Sequence, residues 1–166
     1  MPHIVIDGYN YINRIRPGSV HNGANLEMLR NYFLERLVNY KRQKQNKITV
    51  IFDAYKSISL TRQRENYKGI EVIYTKENET ADELIMQWIR TKPAGMVVVT
   101  SDRAIIDEAK KYGIAFITPA KMEDLIMGCE IEDEEDEASR TTKKGNPRKL
   151  PKKLRKVTRV ISKIKV

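Results

Sequence analysis

The sequence predicts a three-layer α/β/α sandwich built around a mainly parallel central sheet. Three observations carry that expectation. Five short β-branched runs are apolar throughout rather than alternating, the pattern of strands covered on both faces. Segments with apolar residues spaced three and four apart separate most of these runs, so strand and helix alternate along the chain. The length, 166 residues, suits one domain with an ordinary core and is too short for two comfortable ones.

The first run is "HIVID" (3–7). Leu26, Leu29, Phe33, Leu37 and Tyr40 then form one stripe, predicting an amphipathic helix over 25–44 with Asn25 as its cap. The second strand is "ITVIFD" (48–53). The connection 54–69 shows no helical stripe and is rich in Lys and Arg. After the third strand, "IEVIY" (70–74), residues 81–91 place Ala81, Leu84, Ile85, Trp88 and Ile89 on one helical face. "MVVVTS" (96–101) is the fourth strand, followed by a helix over 103–112 that stops at Gly113, a C-terminal cap. "IAFIT" (114–118) is the fifth strand, and a last helix begins near Pro119 in "PAKMEDLIMG".

Charge is distributed unevenly. Residues 1–129 carry 19 Lys/Arg against 15 Asp/Glu, and "EIEDEEDE" (130–137) adds seven acids. Residues 138–166 hold 12 basic side chains and no acidic one, so most of the net +9 sits in the tail. A chain charged this way favours a polyanionic partner, nucleic acid before an anionic membrane, with a solubility tail as the plainer alternative. The expected organisation is a domain over 1–129, an acidic linker over 130–139 and a basic tail over 140–166. Within the tail, Leu154, Val157, Val160, Ile161 and Ile164 fall on one face of a basic amphipathic helix. Such a helix can cover the domain, sit on RNA or stay disordered until bound, and the sequence leaves all three open.

Cys129 is the single cysteine, which rules out a disulfide framework or a thiolate metal cluster and fits a reducing cytoplasm. "HIVI" is too short for the apolar region of a signal peptide, and no segment approaches the roughly 20 apolar residues of a membrane span. The expectation is a cytoplasmic protein that makes no use of a membrane.

In an open parallel sheet, ligands bind outside the carboxyl ends of the strands. Asp7 and Asp53 end the first two strands, Asp102 follows the fourth, and Asp82 lies in the first turn of the helix after the third. One aspartate at a strand end is ordinary turn and cap chemistry. Four converging on one rim would repel, and a divalent cation with oxygen preference relieves such repulsion. Thr80 and Glu83 form a T-x-x-E capping box, a sufficient structural task for both, so Asp82 is preferred over Glu83 as a ligand, with Glu79 a weaker candidate. Asp102 has a competing role as N-cap of the helix at Arg103, and Asp53 as a turn residue. Asp107 falls on the exposed face of its helix. Gly8 allows a close backbone turn beneath Asp7, and Asn10 is placed to hold the Asp7 carboxylate or a phosphate oxygen. Tyr9 and Tyr11 are either rim residues on which a nucleobase stacks or core packing.

The blocks "VIDGYNYI", "VIFDAY", "VIYTKENETADELI" and "VVVTSDRAI", in this order, resemble the YacP-like NYN domain, a group of the PIN-like nucleases. The likeness spans roughly residues 3–118, and 72–85 is its most specific part. It implies a Rossmann-like sandwich and a metal-dependent endoribonuclease that uses Mg²⁺ or Mn²⁺. Similar proteins act in mRNA decay, some of them on translating ribosomes, so messenger RNA and the ribosome are the implied partners, with no small-molecule cofactor. Position by position, the family's acids fall on Asp7, Asp82 and Asp102, with Asn10 as the signature asparagine. Two departures stand: Asp107 fits poorly as the fourth acid often found in PIN-like sites, and the tail has no counterpart in the pattern. Phosphate tracking falls to Arg14, Arg16, Lys56, Arg62, Arg64, Lys76 and Arg103, each of which is otherwise an ordinary surface charge.

Competing classes are weaker. An RNA- or ribosome-binding module without catalysis would leave the acids as structural caps. An aspartyl-phosphatase pattern wants a second Asp two residues after Asp7, where Tyr9 stands, and no glycine-rich phosphate loop occurs. A paired-histidine mechanism would need His3 and His21, the only histidines, to meet.

Overall fold

The computed structural model describes residues 1–18, 26–54, 59–91 and 95–141. Asn25, His21, Lys56 and the basic tail beyond 141, all named above, lie outside the described residues. The elements run β1 (His3–Asp7), α1 (Gly8–Ile15), α2 (Leu26–Lys44), β2 (Lys47–Phe52), β3 (Gln63–Tyr67), β4 (Ile70–Tyr74), α3 (Ala81–Thr91), β5 (Met96–Val99), α4 (Arg103–Lys111), β6 (Ala115–Ile117) and α5 (Pro119–Thr141). The strands form one sheet in the order β3-β4-β2-β1-β5-β6, parallel except for β3. The expected sandwich is therefore the observed fold.

The continuous apolar strands serve two cores. Ile4, Ile6, Ile48, Val50, Phe52, Ile70 and Val72 face α1, α2 and α5. Val5, Ile51, Ile73, Met96 and Val98 face α3 and α4. Alternate residues of a strand point to opposite faces, so a run buried on both sides has no polar position to give up. Chain order runs outward from β1 to β2 and β4, then crosses back to β5 and β6. The order thus reverses between β1 and β5, and that switch point opens a crevice at their carboxyl ends.

Three elements differ from the sequence-based expectation. The connection 54–69 contains β3, an edge strand whose "QRENY" is exposed along most of its length and so leaves no hydrophobic period. It returns to β4 through Lys68 and Gly69, both at positive φ (48° and 93°), as the favoured two-residue hairpin turn requires. Secondly, "GYNYINRI" is a helix, α1, that starts directly after β1 with no intervening turn. Thirdly, the acidic run 130–137 is not a linker. It prolongs α5, whose Met122, Leu125, Ile126 and Cys129 are buried at helical spacing. Arg36 of α2 holds both Glu123 (2.5 Å) and Glu130 (2.7 Å), and Lys44 approaches Glu132 at 3.9 Å. Acids that looked like solvated linker are in part the partners of the basic face of α2.

Other expected signals are present. α4 ends in a Schellman motif: Ile114 N–H donates to the Ala109 carbonyl, and Gly113 N–H to that of Lys110. Gly113 takes φ +67° there. Among the described residues no helix is long and apolar enough to cross a membrane.

Gly8 sets how closely α1 docks on the sheet. A Cβ added to it would lie 2.2–2.8 Å from three atoms of the Phe52 ring. That ring is fully buried between Tyr9 (4.9 Å between centroids) and Tyr74 (5.8 Å), so it has nowhere to retreat. Gly8→Ala gains up to about 1 kcal/mol of helix propensity. Overpacking of this kind costs roughly 1–3 kcal/mol. The expected result is net destabilisation in urea unfolding, relieved in Gly8→Ala/Phe52→Leu; a Gly8→Ala protein as stable as the parent would refute the close-approach account.

Candidate functional site

The site is assembled at the carboxyl edge of the sheet by three helix starts. β1 ends in Asp7, whose carboxylate caps α1 by accepting the Asn10 N–H at 3.2 Å. β2 is followed by Asp53, which accepts the Ala81 N–H at 2.5 Å and so pins the first residue of α3 beside it. At the start of α3 the capping box closes in both directions. Glu83 N–H donates to Thr80 Oγ1 (3.2 Å), and the Glu83 carboxylate accepts the Thr80 N–H (3.0 Å). With Thr80 and Glu83 engaged, Asp82 is the first-turn acid left to turn inward.

Asp82 stands close enough to Asp7 to act on its carboxyl both as a side-chain partner and as a charge. A neighbouring acid disfavours the ionised form of a buried carboxyl. Asp7 is only 6% exposed. Its pKa is pushed up to about 8, first by burial, then by the bond to Asp82, with the charges of Asp82 and Asp53 adding to the rise and the Asn10 amide opposing it. Asp53 is shifted upward as well, chiefly by burial and then by Asp82 and Glu83, against the Ala81 amide. Asp7, Asp82 and Asp53 thus form one acidic group drawn from three distant parts of the chain.

From α1 a chain of hydrogen bonds crosses the crevice to the residue that follows the end of β5. Arg14 Nε donates to Ser101 Oγ at 2.9 Å, and Ser101 Oγ donates to Asn10 Oδ1 at 3.3 Å. Asp102, the next residue, accepts the Ala104 N–H at 2.8 Å as N-cap of α4, while its own N–H donates to Thr100 Oγ1 at 3.0 Å. Asp102 is therefore on the rim, but its carboxylate serves α4. Among the described residues no three His, Cys, Asp or Glu side chains are arranged to hold one ion. The expected triple of Asp7, Asp82 and Asp102 is not assembled; the contact is between the first two.

The other expected residues separate clearly. Glu79 is paired with Arg62, which holds its carboxyl below the usual range, so neither is available at the rim. Tyr9 is not a stacking surface. It is 7% exposed, packed on Phe52, and its hydroxyl accepts from Arg30 at 2.9 Å. Tyr11 is 1% exposed, stacked on Phe33, and donates to Glu123 at 2.5 Å, tying α1 to α5. Both tyrosines sit on the inner face of α1, where an aromatic ring contributes more buried apolar area than it could at a wet rim. Arg14 reaches the site, Arg16 lies over the Tyr32 ring, Arg64 projects from β3 near Glu71 at 3.7 Å, and Lys76 and Arg103 are exposed.

Two residues at this edge escaped the sequence reading. Ser101 had a signal, since it stands between strand and cap in "VVVTSD". Arg30 had none. It comes from α2 and is held by the Tyr9 hydroxyl and the Tyr74 ring (5.6 Å to the centroid), contacts that exist only once α2 packs over β2 and β4.

Comparison with known proteins agrees with the fold. The YacP-like NYN domain family matches residues 4–164, and the chain belongs to that family, within the PIN-like nuclease superfamily. It is 34% identical over 85 residues to the uncharacterized protein YacP of Bacillus subtilis (strain 168), an alignment covering 51% of this chain. The aligned part spans about half of that relative, 49% of its length. Among solved structures, the crystal structure of Rae1 (YacP) from Bacillus subtilis matches with a TM-score of 0.66 at 25% identity, covering 85% of this chain and 83% of that one. A tryptophan-to-leucine mutant of the same protein matches with a TM-score of 0.70 at 22% identity, covering 98% and 91%.

The raised Asp7 pKa makes the metal-free protein's stability depend on pH. Below the ordinary value of 3.8 the carboxyl is protonated whether folded or unfolded, and its contribution is complete. Between 3.8 and about 8 the unfolded chain has released the proton while the native state retains it, so stability falls as pH rises. In chelator, Tm is expected to drop by the order of 5–10 °C across that window. Asp7→Asn, which keeps the acceptor for Asn10 but cannot ionise, should flatten this slope and melt higher than the parent at pH 8; parallel profiles for the two proteins would refute the raised pKa of Asp7.

Proposed function

We propose that the rim is the active site of a metal-dependent endoribonuclease that hydrolyses phosphodiester bonds of RNA. One observation carries this reading: the buried carboxyl of Asp7 stands beside Asp82 at the switch-point crevice, and burial together with that neighbour pushes its pKa up to about 8. An all-oxygen donor set of this kind suits Mg²⁺ or Mn²⁺, which favour hard ligands. Asp7 and Asp82 would hold the ion, with Asp53 and Asp102 the nearest further donors if their caps yield. An ion bound there supplies charge neutralisation at the phosphate and acidifies a water.

The chain's own residues have separable tasks in this scheme. Asp7 must lose its proton to bind the ion, so metal affinity should rise with pH through the range in which that carboxyl ionises. Asn10 and Ser101, already bonded to each other, present a carboxamide and a hydroxyl to a phosphate oxygen at the switch-point crevice. Arg14 extends that chain with a guanidinium fixed by one hydrogen bond, leaving its remaining donors for the phosphate. The starts of α1, α3 and α4 converge on the same edge, and their N-terminal partial charges favour an anionic substrate. Messenger RNA as the substrate, translating ribosomes as the setting and a cytoplasmic location rest on the family likeness and on the lone buried thiol of Cys129, whose pKa burial pushes up to about 11.

A second reading has its own support. Asp53 and Asp102 both serve as caps, so the rim also suits an RNA- or ribosome-binding module that cleaves nothing. The two readings diverge on scission. With Mn²⁺ or Mg²⁺, labelled RNA offered bare and on translating ribosomes should be cut, and chelator should stop the cutting. Asp7→Asn and Asp82→Asn should each lower the rate by at least about 100-fold, near 2.7 kcal/mol of barrier, while circular dichroism and RNA binding persist. Binding that ignores metal, with no strand broken in either setting, would favour the module.

A further inference from the structure

The opposite edge of the sheet, where the strands begin, carries a second charged feature. α2 ends in "KRQK" and turns at Gln45 (φ 52°) into β2, whose first residue is Lys47. The β3–β4 hairpin turn brings Lys68 and Gly69 against the same place. A Cβ on Gly69 would meet Lys41 Nζ at 3.4 Å. Lys41, Arg42, Lys47 and Lys68 line an open cavity of about 540 Å³ there. A second cavity of about 460 Å³ shares Lys47 and Gly69 with it and adds Arg64 on the far side. The two adjoin at Lys47 and Gly69, so five cationic side chains line this trough at the edge of the sheet, with Glu65 and Glu71 on the wall of the second cavity.

This charge is balanced only in part, and Arg42 feels Glu35 through space. Lys68 is paired with Glu35 at 2.5 Å, and Arg64 lies 3.7 Å from Glu71. Lys41, Arg42 and Lys47 have no carboxylate within ion-pair distance among the described residues, and Arg42 and Lys47 are exposed. Cations in the last turn of α2 complement its dipole, which is reason enough for Lys41 and Arg42. Lys68 is accounted for by its pair with Glu35, but neither the dipole nor an ion pair accounts for Lys47 on β2 at the same cavity. Like charges gathered from three elements repel, and a string of phosphates relieves that repulsion at every step.

We propose that this trough is a docking site for an RNA phosphate backbone, independent of base sequence and separate from the acidic rim. Strands of about five residues at ~3.3 Å per residue set the two edges some 15–20 Å apart. A short oligonucleotide engaged at the rim does not reach the trough, whereas a long or structured RNA contacts both.

The test uses the full chain in chelator, so that binding is read without cleavage and independently of whether the rim is a nuclease. Anisotropy of a labelled single-stranded RNA is followed across a range of KCl concentrations. Replacing Lys41, Arg42 and Lys47 together by Gln should reduce the slope of log K against log salt by about 2, at roughly 0.7 per phosphate contact, and weaken binding at least about tenfold at low salt. The basic tail contributes equally to both proteins. Lys41→Arg/Lys47→Arg should keep the parental slope, and cleavage of a tetranucleotide, wherever the parent cleaves it, should not change. Should the triple variant fail to fold, Arg42→Gln and Lys47→Gln singly should each remove about 0.7 from the slope. An unchanged slope and affinity in folded variants overturns the proposal. So does a loss confined to phosphatidylserine vesicles with RNA binding intact, which would make the trough a membrane surface.

Discussion

The contact between Asp7 and Asp82 is the constraint around which this end of the molecule is built. Two acids held together in a water-poor crevice oppose folding, and the surrounding chemistry exists to keep them there. Asp7 is fixed by the Asn10 amide, and Asp82 by a helix start that the Thr80–Glu83 box and Asp53 hold in register. Gly8 lets α1 approach Phe52 closely enough for the capping aspartate to stay at the crevice floor. A protein under selection for stability alone would place an apolar pair at this point. Retaining the carboxyls costs stability at neutral pH, a sacrifice common at sites that bind or react.

The remainder of the sandwich acts as the rigid support for that contact. The N-termini of α1, α3, α4 and α5 lie at one edge because each follows a parallel strand, and its return over a face begins at that strand's carboxyl end. α5 locks the first of these helices in place. Tyr11 reaches from α1 to Glu123, which is also bound by Arg36 of α2, and Arg36 in turn holds Glu130. One arginine therefore couples three helices on the same face of the sheet. The acidic residues at the start of the run 130–137 belong to this lock rather than to a tether.

Charge divides the molecule along the strand direction. The buried acids gather where the strands end, a cluster of cations lies where β2 begins, and the apolar strands stand between the two. An acidic crevice by itself repels RNA, so a nuclease of this architecture needs cations placed to hold the substrate without neutralising the metal ligands. Arg14 does this at the rim through Ser101. The trough of Lys41, Arg42 and Lys47 does it from the opposite edge, where a bound backbone leaves the rim's protonation balance undisturbed.

Local sequence alone determined the fold class, the five parallel strands, the two helices α3 and α4 with their caps, and the set of acids available to the rim. These follow from period and cap chemistry, which are properties of neighbours along the chain. The preference for Asp82 over Glu83 was of this kind, since a capping box consumes one acid and leaves the other. The polar edge strand β3 was not legible, because neither face is buried and no alternation results. Nor was the core position of Tyr9, because "DGYN" reads alike whether the ring points in or out. Only tertiary structure decided which carboxyls touch. Asp102 occupies a position as promising in sequence as Asp82, yet it is taken by the cap of α4, while Asp53 is drawn in by the Ala81 amide. The pairing of acids, the Arg30 clamp on Tyr9 and Tyr74, and the basic trough all join residues far apart in the chain. Their geometry is set by how closely helices pack on the sheet, a quantity no local pattern encodes.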